Sequence, residues 1–348
     1  MANWTIVHKA HGDVATGEVN PQELEFAIYL SRIGYCNYKV DLANPQARRT
    51  FIEPYASDYE LRRGSLVLQA GMHTSVNWDI ESRQLQVAGQ DWNHYLERQT
   101  FPFNPDPDHV TDYQFSRVQV DLFTVIEDML DVVLSMPYTL DFTYNNGTTG
   151  YLINYRIDLG DTGDIFSKIT DLAGQDPNGF DFLTTPQRNF QMYYPKLVNT
   201  SSFVMEQGRN ILKLAGTDKG LDGNSLLAFG AGSSSHVGVL LENTSSMIKY
   251  RRHCFTKDFG NISDPTVLQG MGQAELNRGS TPVVDLTATV KPQAIDDVWN
   301  NLHVGDSVYV HGWTDYQEIK DYYRCVGMKG NISNQGDEYL DVLFTEDA

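Results

Sequence analysis

The sequence predicts a mainly β protein with an α+β insertion, in which two related β-barrels flank a small α+β module. Three observations lead to this prediction. Apolar and polar residues alternate with the two-residue period of strands in both terminal parts of the chain. Two segments with helical periodicity stand close together in the middle. The 348 residues, 41% of them hydrophobic, suffice for two or three domains with sizeable cores.

The first β-barrel unit is predicted over residues 1–104. Alternation over 23–42, interrupted at Gly34, indicates two strands, and residues 65–69 indicate another. The apolar pair Phe51 and Ile52 is interpreted as a further short strand. The unit ends before the proline- and aspartate-rich segment 104–108, whose composition is typical of a loop.

A strand, a glycine turn and a short helix are predicted over residues 78–98. The strand alternation runs from Ile80 through Leu85 and Val87, and Gly89 is expected to end it in a turn with positive φ. A β-branched residue at Gly89 is therefore expected to block folding or assembly. The apolar spacing that follows is that of one helical turn. The residues assigned to this structural motif are Trp78, Gly89, Asp91, Trp92, Leu96 and Arg98.

The α+β module is predicted over residues 110–196. Its first helix begins after Asp121 as N-cap, carries its apolar residues on one face, and ends at Met136 and Pro137. A hairpin is predicted around Asn145–Gly147. A second helix begins at Asp161 or Asp164 and ends at Gly174, and two strands follow, over 180–183 and 190–194.

The second β-barrel unit is predicted over residues 197–348 and contains one helix. That helix runs from Pro265 to Arg278 and is closed by Gly279. The strands expected in this unit lie at residues 226–229, 238–241, 247–250, 283–290, 307–310, 322–326 and 339–344.

An internal echo links the two β units. Residues 61–71 align with residues 302–312, and a leucine, two glycines and a valine coincide in the same order. Gly64 and Gly305 are the aligned glycines and are assigned to the turns that precede the paired strands. The echo therefore predicts two copies of one β unit.

Composition excludes several function classes. The formal net charge is −19, and the basic clusters are short, which argues against nucleic-acid binding. No apolar run is long enough to span a bilayer, and the start lacks a signal-peptide pattern, so synthesis in a cytoplasm is expected. Three widely spaced cysteines, Cys36, Cys254 and Cys325, are expected to be reduced, without metal-ligand spacing.

No catalytic motif stands out, and no cofactor, metal or enzymatic activity is predicted. The glycine-rich segment 230–235 is interpreted as an inter-strand loop, and the nine histidines, including the pair His8 and His11, as structural residues. A cysteine–histidine nucleophile pair or a carboxylate pair for glycoside cleavage stays open as an alternative. The acidic clusters are Asp106/Asp108, Glu127/Asp128/Asp131, Asp296/Asp297 and Asp337/Glu338.

The order of several motifs resembles the tail-tip hub, or minor tail, proteins of long-tailed bacteriophages, most of all hubs of phages that infect actinobacteria. The motifs that carry the resemblance are Leu61–Gly64, residues 78–98, Thr100–Pro102, Phe180–Phe182, Glu206–Ile211, Gln269–Arg278 and Val304–Val310.

The resemblance implies a non-enzymatic structural protein located at the tail tip of a virion. It implies tube-type barrels in a homotrimeric, nearly sixfold ring that seats the tape-measure protein, contacts the distal tail protein and carries receptor-binding proteins. DNA would pass through its acidic channel without stable binding, and no membrane insertion is expected. Since the sequence ends at residue 348, without the extension of larger hubs, direct receptor contact is expected of another protein. A cell-wall hydrolase and a glycan-binding module are the alternatives.

Overall fold

The computed structural model describes residues 4–10, 14–101, 115–135, 139–157, 163–174, 179–197, 199–230, 238–259, 265–280, 282–313 and 318–346. The predicted loop at 104–108, the proline end of the first predicted helix and most of the glycine-rich segment lie outside these residues.

Most described residues lie in strands. The strands of the N-terminal part are β1 (Trp4–Ala10), β2 (Val14–Val19), β3 (Glu23–Tyr29), β4 (Tyr35–Asp41), β5 (Ser57–Arg63), β6 (Leu66–Asp79), β7 (Gln84–Asp91) and β8 (Thr100–Phe101). Those of the middle part are β9 (Phe115–Asp121), β10 (Thr143–Tyr144), β11 (Leu152–Ile157), β12 (Gly163–Asp164), β13 (Asp181–Thr184) and β14 (Asn189–Tyr193). The remainder are β15 (Asn199–Glu206), β16 (Ile211–Asp218), β17 (Ser225–Phe229), β18 (Gly238–Glu242), β19 (Cys254–Asp258), β20 (Val284–Val290), β21 (Asp306–Trp313), β22 (Glu318–Ile332) and β23 (Glu338–Glu346).

The α-helices of the described chain are fewer than its strands. They are α1 (Trp92–Glu97), α2 (Leu122–Leu134), α3 (Ile165–Ala173), α4 (Thr244–Tyr250), α5 (Pro265–Gly279) and α6 (Ile295–Asn301).

A 13-stranded sheet joins both β units. Its strands follow the order β16-β20-β23-β22-β3-β4-β7-β6-β5-β1-β2, with β21 beside β22 and β15 beside β21. The apolar side chains of this sheet form one core, against which α6 packs. Strands β17, β18 and β19 form a separate three-stranded sheet, which has its own small core with α5. The predicted fold class, mainly β with an α+β insertion, is confirmed, and the two β units are halves of a single sheet.

The two halves repeat one strand order. In the first half the neighbours are β3-β4-β7-β6-β5, and in the second they are β16-β20-β23-β22-β21, with every pair antiparallel. The two halves also share a β-bulge: Thr74 of β6 and Val326 of β22 are each left unpaired in the ladder with the next strand, β7 or β23. One difference is that β1 lies antiparallel to β5, whereas β15 lies parallel to β21.

The register of the predicted echo was wrong. The echo aligned residues 61–71 with 302–312 and so placed β6 opposite β21, whereas the strand order makes β6 the counterpart of β22. Short leucine–glycine patterns occur before many strands, so a local match can slip by one strand while the repeat itself is real.

The α+β module has its own core, formed around α2 and α3. Asp121 caps α2 by accepting from the backbone N–H of Phe123, and Asp164 caps α3 by accepting from Ser167, which confirms both predicted helix starts. The predicted hairpin around Asn145 was wrong. The strand before it, β10, pairs in parallel with β14, and the strand after it, β11, pairs with β9.

Three further predictions differ from the structure. Phe51 and Ile52 lie in a loop, and residues 247–250 belong to helix α4, which Asn243 caps by accepting from the N–H of Ser246. The predicted helix from Pro265 is confirmed as α5, but the C-terminal unit contains α4 and α6 as well. Helix α4 has seven residues, too few for its periodicity to distinguish it from a strand.

Candidate assembly interface

Asp91 organises the start of α1. One carboxylate oxygen accepts from the N–H of Asn93 at 3.0 Å and caps the helix, and the other accepts from the N–H of Gly34 at 2.7 Å. Enclosure of this carboxylate by protein raises its pKa to about 7, against the backbone N–H donors, which lower it. Asp91 therefore ties the turn between β3 and β4 to the end of β7.

Helix α1 connects the large sheet to the α+β module. The indole Nε1 of Trp92 donates to the carbonyl oxygen of Pro186 at 3.1 Å. Asn93 bridges two elements: it donates to the carbonyl of Arg32 and accepts from the hydroxyl of Thr184. Leu96 is fully buried in the core of the module. The motif of residues 91–96 thus fixes the module relative to the sheet.

Two cationic side chains support the same connection. The guanidinium of Arg98 lies 5.4 Å from the centre of the Tyr55 ring. The buried guanidinium of Arg324 on β22 forms an ion pair with Asp181 on β13, and it donates to the carbonyl of Leu197 at 3.1 Å. The sequence did not predict this ion pair, because it joins positions far apart in the chain.

Gly89 does not form a turn, which corrects the prediction. Strand β7 continues through it to Asp91, and its φ is not positive. A Cβ atom at this position would lie 2.6 Å from Cε1 of the buried Tyr59 ring. The position therefore needs glycine because of space. In the second half, Val308 on β21 corresponds to Tyr59, and Phe344 on β23 corresponds to Gly89. The aromatic ring therefore lies on β5 in the first half and on β23 in the second.

Gly64 and Gly305 both have positive φ, +61° and +96°, and each stands immediately before a strand-forming segment. Gly64 forms the turn between β5 and β6, and Gly305 precedes β21. Trp78 lies near the end of β6, and 68% of its surface is exposed. Ile80, predicted to begin the strand of the motif, lies in the turn between β6 and β7.

The two halves of the sheet join through β3 and β22. Leu24 lies opposite Ile332 and Phe26 opposite Gly330. A Cβ at Gly330 would lie 2.2 Å from the Phe26 ring, so this glycine makes room for the ring. The Phe26 ring also packs between those of Trp4 and Trp299, at centroid distances of 5.3 and 5.9 Å.

Each half leaves strand edges open in the described chain, and among them β2 pairs only with β1 and β15 only with β21. Beyond His73, β6 pairs only with β7, and β16 pairs only with β20, among the strands of the described chain. Apolar side chains are exposed at both edges: Trp78 on β6 is 68% exposed and Leu212 on β16 is 57% exposed. An open strand edge with exposed apolar residues is a typical site of strand addition.

One face of the sheet is polar along eight successive strands, from β16 to β6. Register places on this face, among uncharged side chains, three lysines and six acids, and Lys219 at the end of β16 pairs with Asp285, which gives the face a net charge of −2 (4 − 6). We call this surface the polar face. Its charged residues are Lys39, Lys213, Lys219, Lys329, Glu23, Glu25, Asp41, Asp79, Asp285 and Asp341.

The described nucleophile candidates are not arranged for catalysis. Burial raises the pKa of Cys36, and it raises that of Cys325 to about 12, so neither thiol is poised as a thiolate. Cys254 is exposed, and the ring of its neighbour His253 bonds the carbonyl of Tyr250 at 2.9 Å.

The described acidic clusters have structural partners. Asp128 pairs with Arg117, and the hydroxyl of Tyr144 donates to Asp131 at 2.5 Å. Asp296 and Glu338 both pair with Arg63. Asp106 and Asp108 lie outside the described residues.

The described residues contain neither a metal-binding cluster nor a membrane-spanning helix. No group of three or more histidine, cysteine or acidic side chains there is placed to hold a metal ion. No helix there has the length and apolar character required to cross a membrane. His11, half of the histidine pair noted in the sequence, is not among these residues.

Solved structures show where this architecture occurs. The chain is similar to the 43 kDa tail protein of prophage MuSo2 from Shewanella oneidensis, with 14% identity, a TM-score of 0.68 and 98% of each chain covered. It is similar to the tail protein from Neisseria meningitidis MC58, with 14% identity, a TM-score of 0.66, and 99% of this chain and 97% of that chain covered. Prophage tail protein gp18 from Listeria monocytogenes EGD-e matches with 10% identity and a TM-score of 0.62, over 97% of this chain and 94% of that chain.

These likenesses establish the fold of phage tail proteins over nearly the whole chain. No protein-family model matches the sequence, and no curated protein matches it.

Proposed function

We propose that this chain is a structural hub protein of a phage tail tip, in which three copies form a ring that caps the tail tube. The observation that carries the proposal is the repeated half-sheet with an open edge at each end. Three copies of two similar halves supply six similar units, which can continue a sixfold tube. Its fold, that of prophage tail proteins, supports this role.

The polar face is proposed to line the channel of the ring. With a net charge of −2 on the polar face of each chain, three copies place a charge of −6 (3 × −2) along the channel, on the charged residues named above. A negative wall repels phosphate groups, so DNA can pass through without being retained by counterion release. Uncharged Asn, Gln and Thr side chains between the charges keep the wall hydrated.

The partners follow from this position. The ring would seat the end of the tape-measure protein, contact the ring of distal tail protein, and carry further minor tail or receptor-binding proteins. The motif residues Asp91, Trp92 and Leu96 would then act by holding the α+β module at a fixed angle to the ring. A phage with a long tail that infects actinobacteria is the proposed source, on the strength of the sequence motifs.

Native mass over a concentration series, with negative-stain class averages of the same sample, tests the proposal. A particle near 118 kDa (3 × 39.3) with threefold views is the expected result. A monomer at every concentration, or a zone of clearing when the protein is assayed on host cell walls, would contradict a non-enzymatic ring.

A further inference from the structure

We propose that the face of β21 and β22 that points away from the core binds a neutral, β-1,4-linked oligosaccharide on a row of aromatic rings. This binding activity goes beyond the proposed hub role and does not depend on it. We call the surface the aromatic platform. It consists of Tyr309, His311 and Trp313 on β21 and Tyr322 on β22.

Strand geometry places these rings in one row. Side chains alternate along β21, and the intervening Val308 and Val310 are buried in the core, so the three rings of this strand share the opposite face. Register places Tyr322 directly opposite Tyr309 on the neighbouring strand. From Tyr309 to Trp313 the strand advances four residues, or about 13 Å. The platform is therefore elongated and fits a chain of sugar rings better than a single sugar.

Contacts between the rings hold the platform in shape. The ring centroids of Tyr309 and Tyr322 lie 5.4 Å apart at an interplanar angle of 66°, and those of His311 and Trp313 lie 5.6 Å apart at 57°. The backbone N–H of Trp313 donates to the side-chain oxygen of Gln207 at 2.8 Å, which fixes the end of β21. Because packed rings lose little further freedom when a ligand stacks on them, the surface is organised for binding.

The rings also present polar groups that are free to bind a ligand. Trp313 is 53% exposed and Tyr322 46% exposed. The hydroxyls of Tyr309 and Tyr322 and the indole Nε1 of Trp313 form no hydrogen bond within the described part of the chain. A sugar has C–H groups on its ring face and hydroxyl groups at its rim, so it can stack on the rings and bond these polar groups together.

The charges beside the platform favour a neutral ligand. The Nζ atom of Lys320 lies 3.1 Å from a carboxylate oxygen of Glu318. The imidazole of His311 lies between two carboxylates, with Nδ1 3.5 Å from Glu206 and Nε2 3.8 Å from Glu318. Phosphate groups of a nucleic acid need clustered lysine and arginine, whereas Lys320 stands beside two acids. Carboxylates with such partners keep lone pairs that accept from sugar hydroxyls.

The straight row of rings selects the linkage. In β-1,4-linked glucose or N-acetylglucosamine the linkages are equatorial, so successive sugars form an extended ribbon with C–H groups on its faces. An α-1,4-linked chain curves and leaves a straight strand after a few sugars. The extended backbone of β21 therefore matches the β-linked chain.

Isothermal titration with cellohexaose and with the β-1,4-linked hexamer of N-acetylglucosamine tests the proposal, and the comparison shows whether acetamido groups are recognised. Binding of at least one hexamer is expected. Trp313→Ala should weaken it at least about tenfold, and Tyr322→Phe, which removes only a hydroxyl, about threefold. Trp78→Ala removes an indole of similar exposure, 68%, on β6 and should leave binding unchanged. Unchanged urea midpoints show that the variants are folded.

Several results would overturn the proposal. They are no binding of either hexamer, equal affinity in Trp313→Ala and the parent protein, and equal binding of maltohexaose, which is α-linked. Tighter binding of a thymidine oligonucleotide or of hexaarginine would exclude a neutral ligand. Native mass measured on the same samples separates this inference from the proposed function. A monomer that binds a hexamer would support the platform and contradict the ring, and a threefold particle that binds neither would do the reverse.

Discussion

Replacement of Gly89 by alanine tests why the motif strand contains a glycine. The added Cβ would lie 2.6 and 2.9 Å from two carbons of the Tyr59 ring and 3.2 Å from the carbonyl oxygen of Met72. The ring is fully buried and cannot swing into solvent. We therefore expect Gly89→Ala to lower the free energy of unfolding, although glycine-to-alanine substitution in a strand is ordinarily favourable.

The magnitude follows from two opposed contributions. Overpacking of a core by a methyl group costs about 1–3 kcal/mol. Removal of glycine from a strand interior returns about 0.5–1 kcal/mol of backbone entropy. The net expectation is a loss of about 0.5–2 kcal/mol for Gly89→Ala, and a larger loss for Gly89→Val, which adds two further methyl groups at the same place.

Urea unfolding, followed by far-UV circular dichroism, measures this change as a shift in midpoint at constant slope. Gly270→Ala is the matched control. Gly270 lies inside α5 with no atom within 4 Å of the added Cβ, so the substitution should stabilise by about 0.5–1 kcal/mol.

The decisive comparison uses Tyr59→Leu, which removes the ring. In that background Gly89→Ala should change sign and become neutral or stabilising, because the clash is gone. An equal loss with and without the ring would refute the packing explanation. So would a wild-type Gly89→Ala protein as stable as its parent.

Three further predictions concern buried titratable groups. Burial lowers the pKa of His8 to about 4 and that of His73 to about 3. Between pH 6.5 and 4 these histidines take up protons only in the unfolded state, so the free energy of unfolding should fall as the pH drops through this range. His73→Asn should make this pH dependence shallower. Burial raises the pKa of Asp91 to about 7. The stability that its protonated carboxyl contributes to the folded state is therefore present below pH 4 and is lost as the pH rises through 7. Asp91→Asn keeps the helix cap and removes this loss, so the free energy of unfolding should rise more steeply with pH. Asp181→Ala leaves Arg324 buried without its carboxylate and should cost about 3–5 kcal/mol in unfolding free energy by urea titration.

Controls for these variants come from the same chain. Asp285→Ala removes the acid of the exposed pair with Lys219 and should cost about 1 kcal/mol or less. A loss for Asp181→Ala no greater than this would contradict the role of the buried pair. Identical pH slopes for His73→Asn, Asp91→Asn and the parent protein between pH 4 and 7 would contradict both protonation assignments.

The repeated half-sheet shows how a core is kept while its residues change. Five equivalent positions hold the same residue type in both halves, including Val40 and Val290, and Leu85 and Leu340. Elsewhere the large residue changes strand: Tyr59 faces Gly89 in the first half, and their counterparts are Val308 and Phe344 in the second. Such exchanges hide the repeat from comparison of short motifs.

Sequence by itself determined the local elements. Aspartates 91, 121 and 164 mark helix starts because a carboxylate that accepts from the first free N–H groups is a short-range interaction. Strand alternation is likewise local, and it located most of the large sheet. The strand class and the α+β insertion followed from these patterns alone.

Only the tertiary structure decided which strands are neighbours and why particular residues are required. The pairing of β3 with β22, the slip in the internal echo and the separate partners of β10 and β11 all depend on contacts between distant segments. Gly89 shows the same limit. The sequence around it suggests a turn, whereas glycine is required there because the ring of Tyr59, thirty residues earlier in the chain, occupies the space of a side chain. Local patterns record backbone preference, whereas strand partners and the space around a glycine are set by segments that meet only after folding.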